Sequence, residues 1–410
     1  MAKRRETYIP IRKASLLDAL AKTPGLDDAA KAKFAAAGRL LGALLHHRAF
    51  ERLEALKALY DPFDPDVALA EAKGDKAALL QALEAMLARA AFEELSIAQV
   101  LGGRDLDTLQ DVRIKHQDAG IGRVRFFVRG ARPETVVPRR WWGLVKKKVG
   151  TEIYDDVVVI AELKPPEAFA DEKEVKRFAR LRRGARAGAI LLRHFGDTPR
   201  TDLASLHPGA EPTMKRRDQL ILGVPAVAGG APLLLQLANA APIIFVTLAA
   251  AFGVQGALTQ DRLQHALAAL SGIVALGAFL MRQRLKFNAQ RLDYQKKLSD
   301  TVYFHTIANN AGMLDGLMAA AEQQDLKEAL IAWRVLLSAG PLTREDLDKA
   351  CEAWLADSFA LSVDFEIGDA LYKLIELGLV RAEGDRFAAI GAAEGLQRLD
   401  GVWDAEFAAA

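Results

Sequence analysis

The chain of 410 residues has one cysteine, Cys351. A lone thiol can form neither an intrachain disulfide nor a cysteine-built zinc site, which fits a reducing compartment. Histidine offers no metal pattern either: the seven are scattered, His46 and His47 point apart as helix neighbours, and none has another three or four residues away. No HExxH, CxxC, Walker-type GxxxxGK[ST], post-strand GxGxxG or GxSxG string occurs. Catalysis is therefore unsupported, and neither a cofactor nor a metal is expected. The start, MAKRRETYIPIRKASLL, is basic, but it lacks the apolar h-region that would mark a cleaved secretory signal.

Charge is missing from one part of the chain. Asp218 and Asp261 bracket 42 residues without Asp, Glu, Lys or Arg, and a second uncharged stretch runs from Leu263 to Met281. Each holds at least one segment near the ~20 apolar residues that cross a bilayer as a helix. Lys215, Arg216 and Arg217 precede the first run, and Arg282, Arg284, Lys286 and Arg291 follow the second. The positive-inside rule puts both flanks in the cytoplasm and demands an even number of crossings. Two spans are predicted, 238–258 and 264–281, with 219–237 interfacial or re-entrant because of Pro225, Gly229, Gly230 and Pro232. The alternatives are a first crossing within 219–237, or a buried helical hairpin in a large core. Ala249, Gly253 and Ala257 on the first span, and Ser271 and Ala275 on the second, are small residues four apart. Such spacing lets helices approach closely, either within the hairpin or between copies of the chain.

The flanking segments divide by pattern and charge. Residues 1–95 read as helices, with Leu40, Leu41, Leu44 and Leu45 at helical spacing. Residues 96–217 read as a small basic α+β domain with strands in RVRFFVRG, EIYDDVVVIAEL and AILLRHF. After a membrane segment, 218–282, comes a helical region, 283–340. Helix, helix and hairpin then suggest a winged-helix-like module at 341–404. Val112 to Arg217 carries about 24 basic against 13 acidic residues, and Pro341 to Asp404 about 6 against 14. The acidic end would repel nucleic-acid phosphates, so a protein partner suits it better than DNA.

Three segments carry candidate sites. RRWWGLVKKK, with Arg139, Arg140, Trp141, Trp142, Lys146, Lys147 and Lys148, joins interfacial tryptophans to clustered cations. With Lys215, Arg216 and Arg217 it suggests contact with an anionic lipid surface. A solvated β-hairpin with one Trp in the core is the plainer reading, and nucleic-acid binding is disfavoured. FGDTPRTDLASLHPG reads as an elbow in which Thr198 caps a short helix beginning at Pro199. Arg200 and Asp202 would fix its angle, and a polar site at Asp197, Arg200 and Asp202 is the alternative. Asn309 and Asn310 either bridge helices or bind a polar ligand.

TYIPIRKASLL, IGRVRFF, EIYDDVVVIAEL, LLRHFGDTPRTDLASLHPG and VYFHTIANNAGMLDGLMAAAEQQDLKEALIAW occur in this order. In them the chain resembles an uncharacterised membrane-protein family, named for a domain of unknown function, that includes the animal mitochondrial transmembrane protein 143. The resemblance runs from about Glu6 to Trp403 and is most specific before the uncharged run and around Asn309-Asn310-Ala311-Gly312. It implies an integral membrane protein with soluble domains flanking a helical hairpin, and supplies no catalytic residue. The expectation is a multidomain α+β membrane protein of the bacterial inner membrane, with both termini cytoplasmic. Its function would be that of a non-enzymatic scaffold or adaptor whose partners are the lipid bilayer, a further protein and copies of itself. An oligomeric channel or transporter component, or a membrane-tethered enzyme, are the alternatives.

Overall fold

The computed structural model describes residues 5, 7–67, 74–101, 113–116, 120–136, 139–140, 145–146, 149–181, 185–213, 242, 245, 249 and 260–408. Its central feature is a five-stranded antiparallel sheet in the order β1-β3-β6-β7-β9. The strands are β1 (Glu93–Leu95), β3 (Ile121–Val136), β6 (Val149–Leu163), β7 (Ile190–Pro199) and β9 (Thr306–Asn309). Both faces are covered, which explains why EIYDDVVVIAEL reads as a continuous apolar run rather than an alternation. Val158 and Ile160 join Phe127, Ile190 and Leu192 against the helices, whereas Val157 and Val159 join Phe126, Val128 and Phe195 on the other face.

The helical layer consists of α2 (Asp28–Tyr60), α3 (Lys76–Arg89) and α7 (Ala311–Ala339), with α1 (Lys13–Lys22) alongside. Asp27 and Asp75 cap α2 and α3 by accepting the backbone N–H groups of Ala30 and Ala78. Helix α7 is the axis of the molecule. Its first half packs on the sheet through Met313, Leu314 and Leu317, and its second half enters a core shared by α1, α2 and the C-terminal elements. Those elements are β10 (Leu342–Thr343), α8 (Arg344–Phe359), α9 (Ile367–Glu376), the hairpin β11 (Val380–Glu383) and β12 (Arg386–Ala389), and α10 (Ala392–Ala408). Thr343 Oγ1 accepts the Asp346 N–H to start α8. Helix α9 ends where Gly378, at φ +68°, lets the Leu379 N–H reach the Leu374 carbonyl, the bonding of a left-handed C-terminal cap.

The outer face of the sheet is closed by α4 (Ile97–Leu101) and by FGDTPRTDLASLHPG itself, while α5 (Glu172–Leu181) packs Phe178 with Ile121, Leu163 and Ala189. The expected Thr198 cap gives way to a longer strand, since Thr198 and Pro199 still pair with Tyr154 and Ile153. A short 3-10 helix, Arg200–Leu206, then folds back on the sheet and buries Asp202, Leu203, Ser205 and Leu206. The segment is a core lid rather than an exposed elbow. Beyond it β8 (Ala210–Thr213) pairs with β2 (Arg113–His116).

The transmembrane expectation requires correction. Among the described residues, no helix is long and apolar enough to cross a membrane. The stretch 264–281 is the first part of one continuous 46-residue helix, α6 (Gln260–His305), rather than an element ending at Met281. Arg282, Arg284, Lys286, Arg291, Lys296 and Lys297 follow on the same rod without a break, so the helix as a unit is not an apolar span. The fold class is corrected to mixed α and β with antiparallel sheets, and the expected placement in the bacterial inner membrane does not hold for the described helices. Span 238–258, apart from residues 242, 245 and 249, and all of 219–237 lie outside the described residues. So do Gly253 and Ala257, while Ser271 and Ala275 are exposed on α6. A second difference is the division of the expected helical region by β9, because Thr306, Ala308 and Asn309 pair with the edge of β7.

Candidate functional site

Two clusters of buried charge occupy the inner side of the sheet. In the first, His194 Nε2 lies 2.8 Å from Asp156 Oδ1, and Arg129 Nε donates to Asp156 Oδ2 at 2.8 Å. The Arg129 guanidinium is held between the rings of Tyr8 and Phe92, 4.5 and 4.7 Å from their centroids. Burial alone would raise the Asp156 carboxyl, but the His194 hydrogen bond and the Arg129 charge outweigh it and hold the group below the usual range. The polar partner of the His194 ring is the Asp156 carboxylate. Arg129, Asp156 and His194 tie β3, β6 and β7 together.

The second cluster lies on α7, where Gln324, Asp325, Lys327 and Glu328 are all buried. Asp325 takes ion pairs from Arg89 and, at 2.7 Å, from Lys373. Gln324 donates to Glu328 Oε1 at 2.8 Å and to the Thr7 carbonyl, and Lys327 Nζ donates to the Ile9 carbonyl at 2.9 Å. Burial raises the Glu328 carboxyl to about 8, against the pull of Lys373. Burial, aided by Arg129, lowers the Lys327 amine to about 8. Every one of these groups bridges α7 to another element, which makes the cluster a set of internal ties.

The candidate residues of the sequence are distributed as follows. Asp197, at φ +47°, is paired with Arg132, Arg200 Nη1 donates to Glu152 at 2.8 Å, and the buried Asp202 accepts from Thr201 Oγ1 at 3.3 Å. Their side chains face different partners. Asn310, at φ +49°, donates to Asp66 at 2.7 Å and accepts from Tyr60 Oη and the Leu192 N–H, both at 3.3 Å. It joins the end of α2 to β7 and the start of α7. Arg139 and Arg140 form β4 and pair with Lys146 and Val145 of β5, beyond the end of the β3–β6 ribbon. Trp141, Trp142, Lys147, Lys148, Lys215, Arg216 and Arg217 lie outside the described residues.

A residue that sequence reasoning passed over marks the open site. Arg193 points from β7 to the outer face, and among the described residues no carboxylate pairs with it. It lines a groove of about 1030 Å³ between β7, β9, the core lid and the last turns of α6. Asn309 stands directly opposite Arg193 in the ladder, so their side chains are neighbours on one face. Ser205, Ser299 and Thr306 add hydroxyls, while Leu298, Val302, Tyr303 and Phe304 supply apolar wall. Burial lowers the Arg193 guanidinium, yet it stays charged at neutral pH. The signal in the sequence was a lone arginine at an alternating position of the apolar strand AILLRHF.

From the groove, α6 runs outward. Tyr294 is buried and His305 Nδ1 lies 2.9 Å from the Gly196 carbonyl, but none of the described side chains from Val274 to Asp293 is buried. Val274, Ala278, Met281, Leu285, Ala289 and Leu292 recur at intervals of 4, 3, 4, 4 and 3 residues, so each position repeats after 11. An 11-residue repeat stays on one side of a nearly straight helix. Val274, Met281, Leu285 and Leu292 are 64%, 56%, 56% and 63% exposed.

Residues 154–312 match the model of a family described as a protein of unknown function, DUF3754. The match takes in less than half of the chain, from β6 to the first turn of α7. It spans Arg193, the core lid, α6 and Asn309, and so most of the groove. No solved structure matches the chain.

Proposed function

We propose that this protein is a non-enzymatic scaffold that assembles with copies of itself through α6. The observation that carries the proposal is the exposed apolar stripe on α6 between Val274 and Leu292. Most helical stability in water comes from packing an apolar face, and this one has none of the other described elements against it. An apolar surface of this kind marks an interaction site. The alternation of bulky residues with Ala278 and Ala289 makes the stripe self-complementary, since the side chains of one copy can fill the space over the alanines of another. Two-fold association brings the same patch of each copy together. Leu280 and Phe287 are 51% and 45% exposed on another side of the helix, so a bundle of more than two helices would cover more apolar surface than a pair. The buried His194–Asp156 and α7 clusters favour a scaffold over an enzyme, because their polar groups hold elements together. The likeness to the family of transmembrane protein 143 supplies no activity to transfer, and the anionic-lipid partner suggested by the basic segment stays a separate proposal.

Light scattering on the full chain tests this reading. The expected mass is a multiple of 44.6 kDa, and Leu285→Glu with Leu292→Glu should return it to the single-chain value without loss of helical circular dichroism. A wild-type chain that stays monomeric at tens of micromolar would overturn it.

A further inference from the structure

We propose that the groove around Arg193 binds a small organic carboxylate with an apolar body. This goes beyond the assembly reading and does not depend on it.

The argument begins with the placement of charge. An arginine taken partly out of water gives up hydration that only an anion or a set of acceptors replaces. Arg125, Arg129 and Arg132 on the same sheet, and Arg200 just after β7, all have carboxylate partners in the fold. Arg193 has none among the described residues, and it opens onto a groove of about 1030 Å³. This volume is at the upper end of ligand-sized clefts. The planar fork of its guanidinium matches a carboxylate in bidentate geometry, and the Asn309 amide beside it can donate to the same oxygens. A single cation favours a monoanion over a dianionic phosphate. The rest of the wall sets the ligand's body: Val302, Tyr303 and Phe304 present apolar and aromatic surface, with Tyr303 and Phe304 76% and 77% exposed. Ser205 from the buried core lid adds a hydroxyl to the lining. The Asp66 carboxylate also lines the groove but is engaged by the Asn310 amide at 2.7 Å. The permanent cation of Arg193 beside apolar and aromatic wall selects an amphipathic carboxylate.

The chemistry can be probed with decanoate and with decanol, its neutral counterpart, by calorimetric titration of the full chain. Decanoate should bind with a dissociation constant in the micromolar range and decanol at least tenfold more weakly. Arg193→Gln should abolish the preference for the carboxylate, and Arg193→Lys should restore part of it. Circular dichroism and the thermal midpoint of each variant establish that it is folded. Failure of decanoate to bind the wild-type chain would overturn the proposal, as would equal binding of decanol or an undiminished preference in Arg193→Gln. The assembly reading is scored by mass alone, so the two can fail independently.

Discussion

Glu328 shows how one residue links burial to pH. Its carboxyl is surrounded by Lys373, Gln324, Asp325 and Asp369, and burial keeps it protonated up to about 8. In the unfolded chain the same group titrates near the ordinary glutamate value of 4.5. Between these values the folded state holds a proton that the unfolded state has released, so stability falls as pH rises. The contribution is fully present below 4.5 and lost once pH passes about 8. Lys327 acts in the opposite direction but higher, between about 8 and 10.5, where the unfolded chain holds the extra proton. Urea unfolding should therefore show a midpoint that declines from pH 5 to pH 8, and Glu328→Gln should flatten that decline. An equally steep profile in the variant would count against the assignment. None of this was legible in AAAEQQDLKEALIAW, which looks like an amphipathic surface helix. Gln324, Asp325, Lys327 and Glu328 are buried because Thr7, Ile9, Arg89 and Lys373 reach them from other parts of the chain.

At the scale of elements, helix α10 offers a controlled comparison. A methyl group at Gly395 would come within 2.5 Å of Trp333 Cζ2, whereas one at Gly401 would meet nothing within 4 Å. Trp333 is fully buried, with its ring tilted against Phe34 at 5.1 Å. Gly395→Ala should cost about 1–3 kcal/mol through overpacking. Gly401→Ala should be neutral or stabilise by about 0.5–1 kcal/mol, through helix propensity alone. Denaturant midpoints of the two variants check this, and equal midpoints would refute the packing account. The elements themselves differ in legibility. Long patterned ones such as α2, β3 and β6 announce themselves by periodicity and length. Strand β9 does not, because four residues between two long helices have no period of their own and pair only when β7 is present. Helix α6 misleads for the converse reason: an uncharged half reads as a span when its charged continuation is treated as a separate element.

At the scale of the whole molecule, the ends of the chain form one core. Ile9, Leu16 and Leu20 from the start pack with Leu347, Leu371 and Leu399 from the end, around Leu330 and Trp333 of α7. The Arg334 guanidinium seals the contact, donating to the carbonyls of Leu20, Thr23 and Pro24 at the end of α1. Residues 341–408 are therefore expected not to fold alone, despite their compact helix and hairpin order, since much of their apolar surface is covered by α1, α2 and α7. Near-ultraviolet circular dichroism of that fragment should lack fixed aromatic signals, and a cooperative thermal transition in it would contradict the shared core. By itself the sequence determined the helices and long strands, the caps at Thr343 and Gly378, and the absence of common catalytic motifs, because these depend on residues close together in the chain. Tertiary structure alone decided that α7 is buried on every side from Gln324 to Leu336, that FGDTPRTDLASLHPG closes a core, and that Arg193 faces a groove. Each depends on contacts between residues far apart in sequence, where periodicity and spacing carry no information.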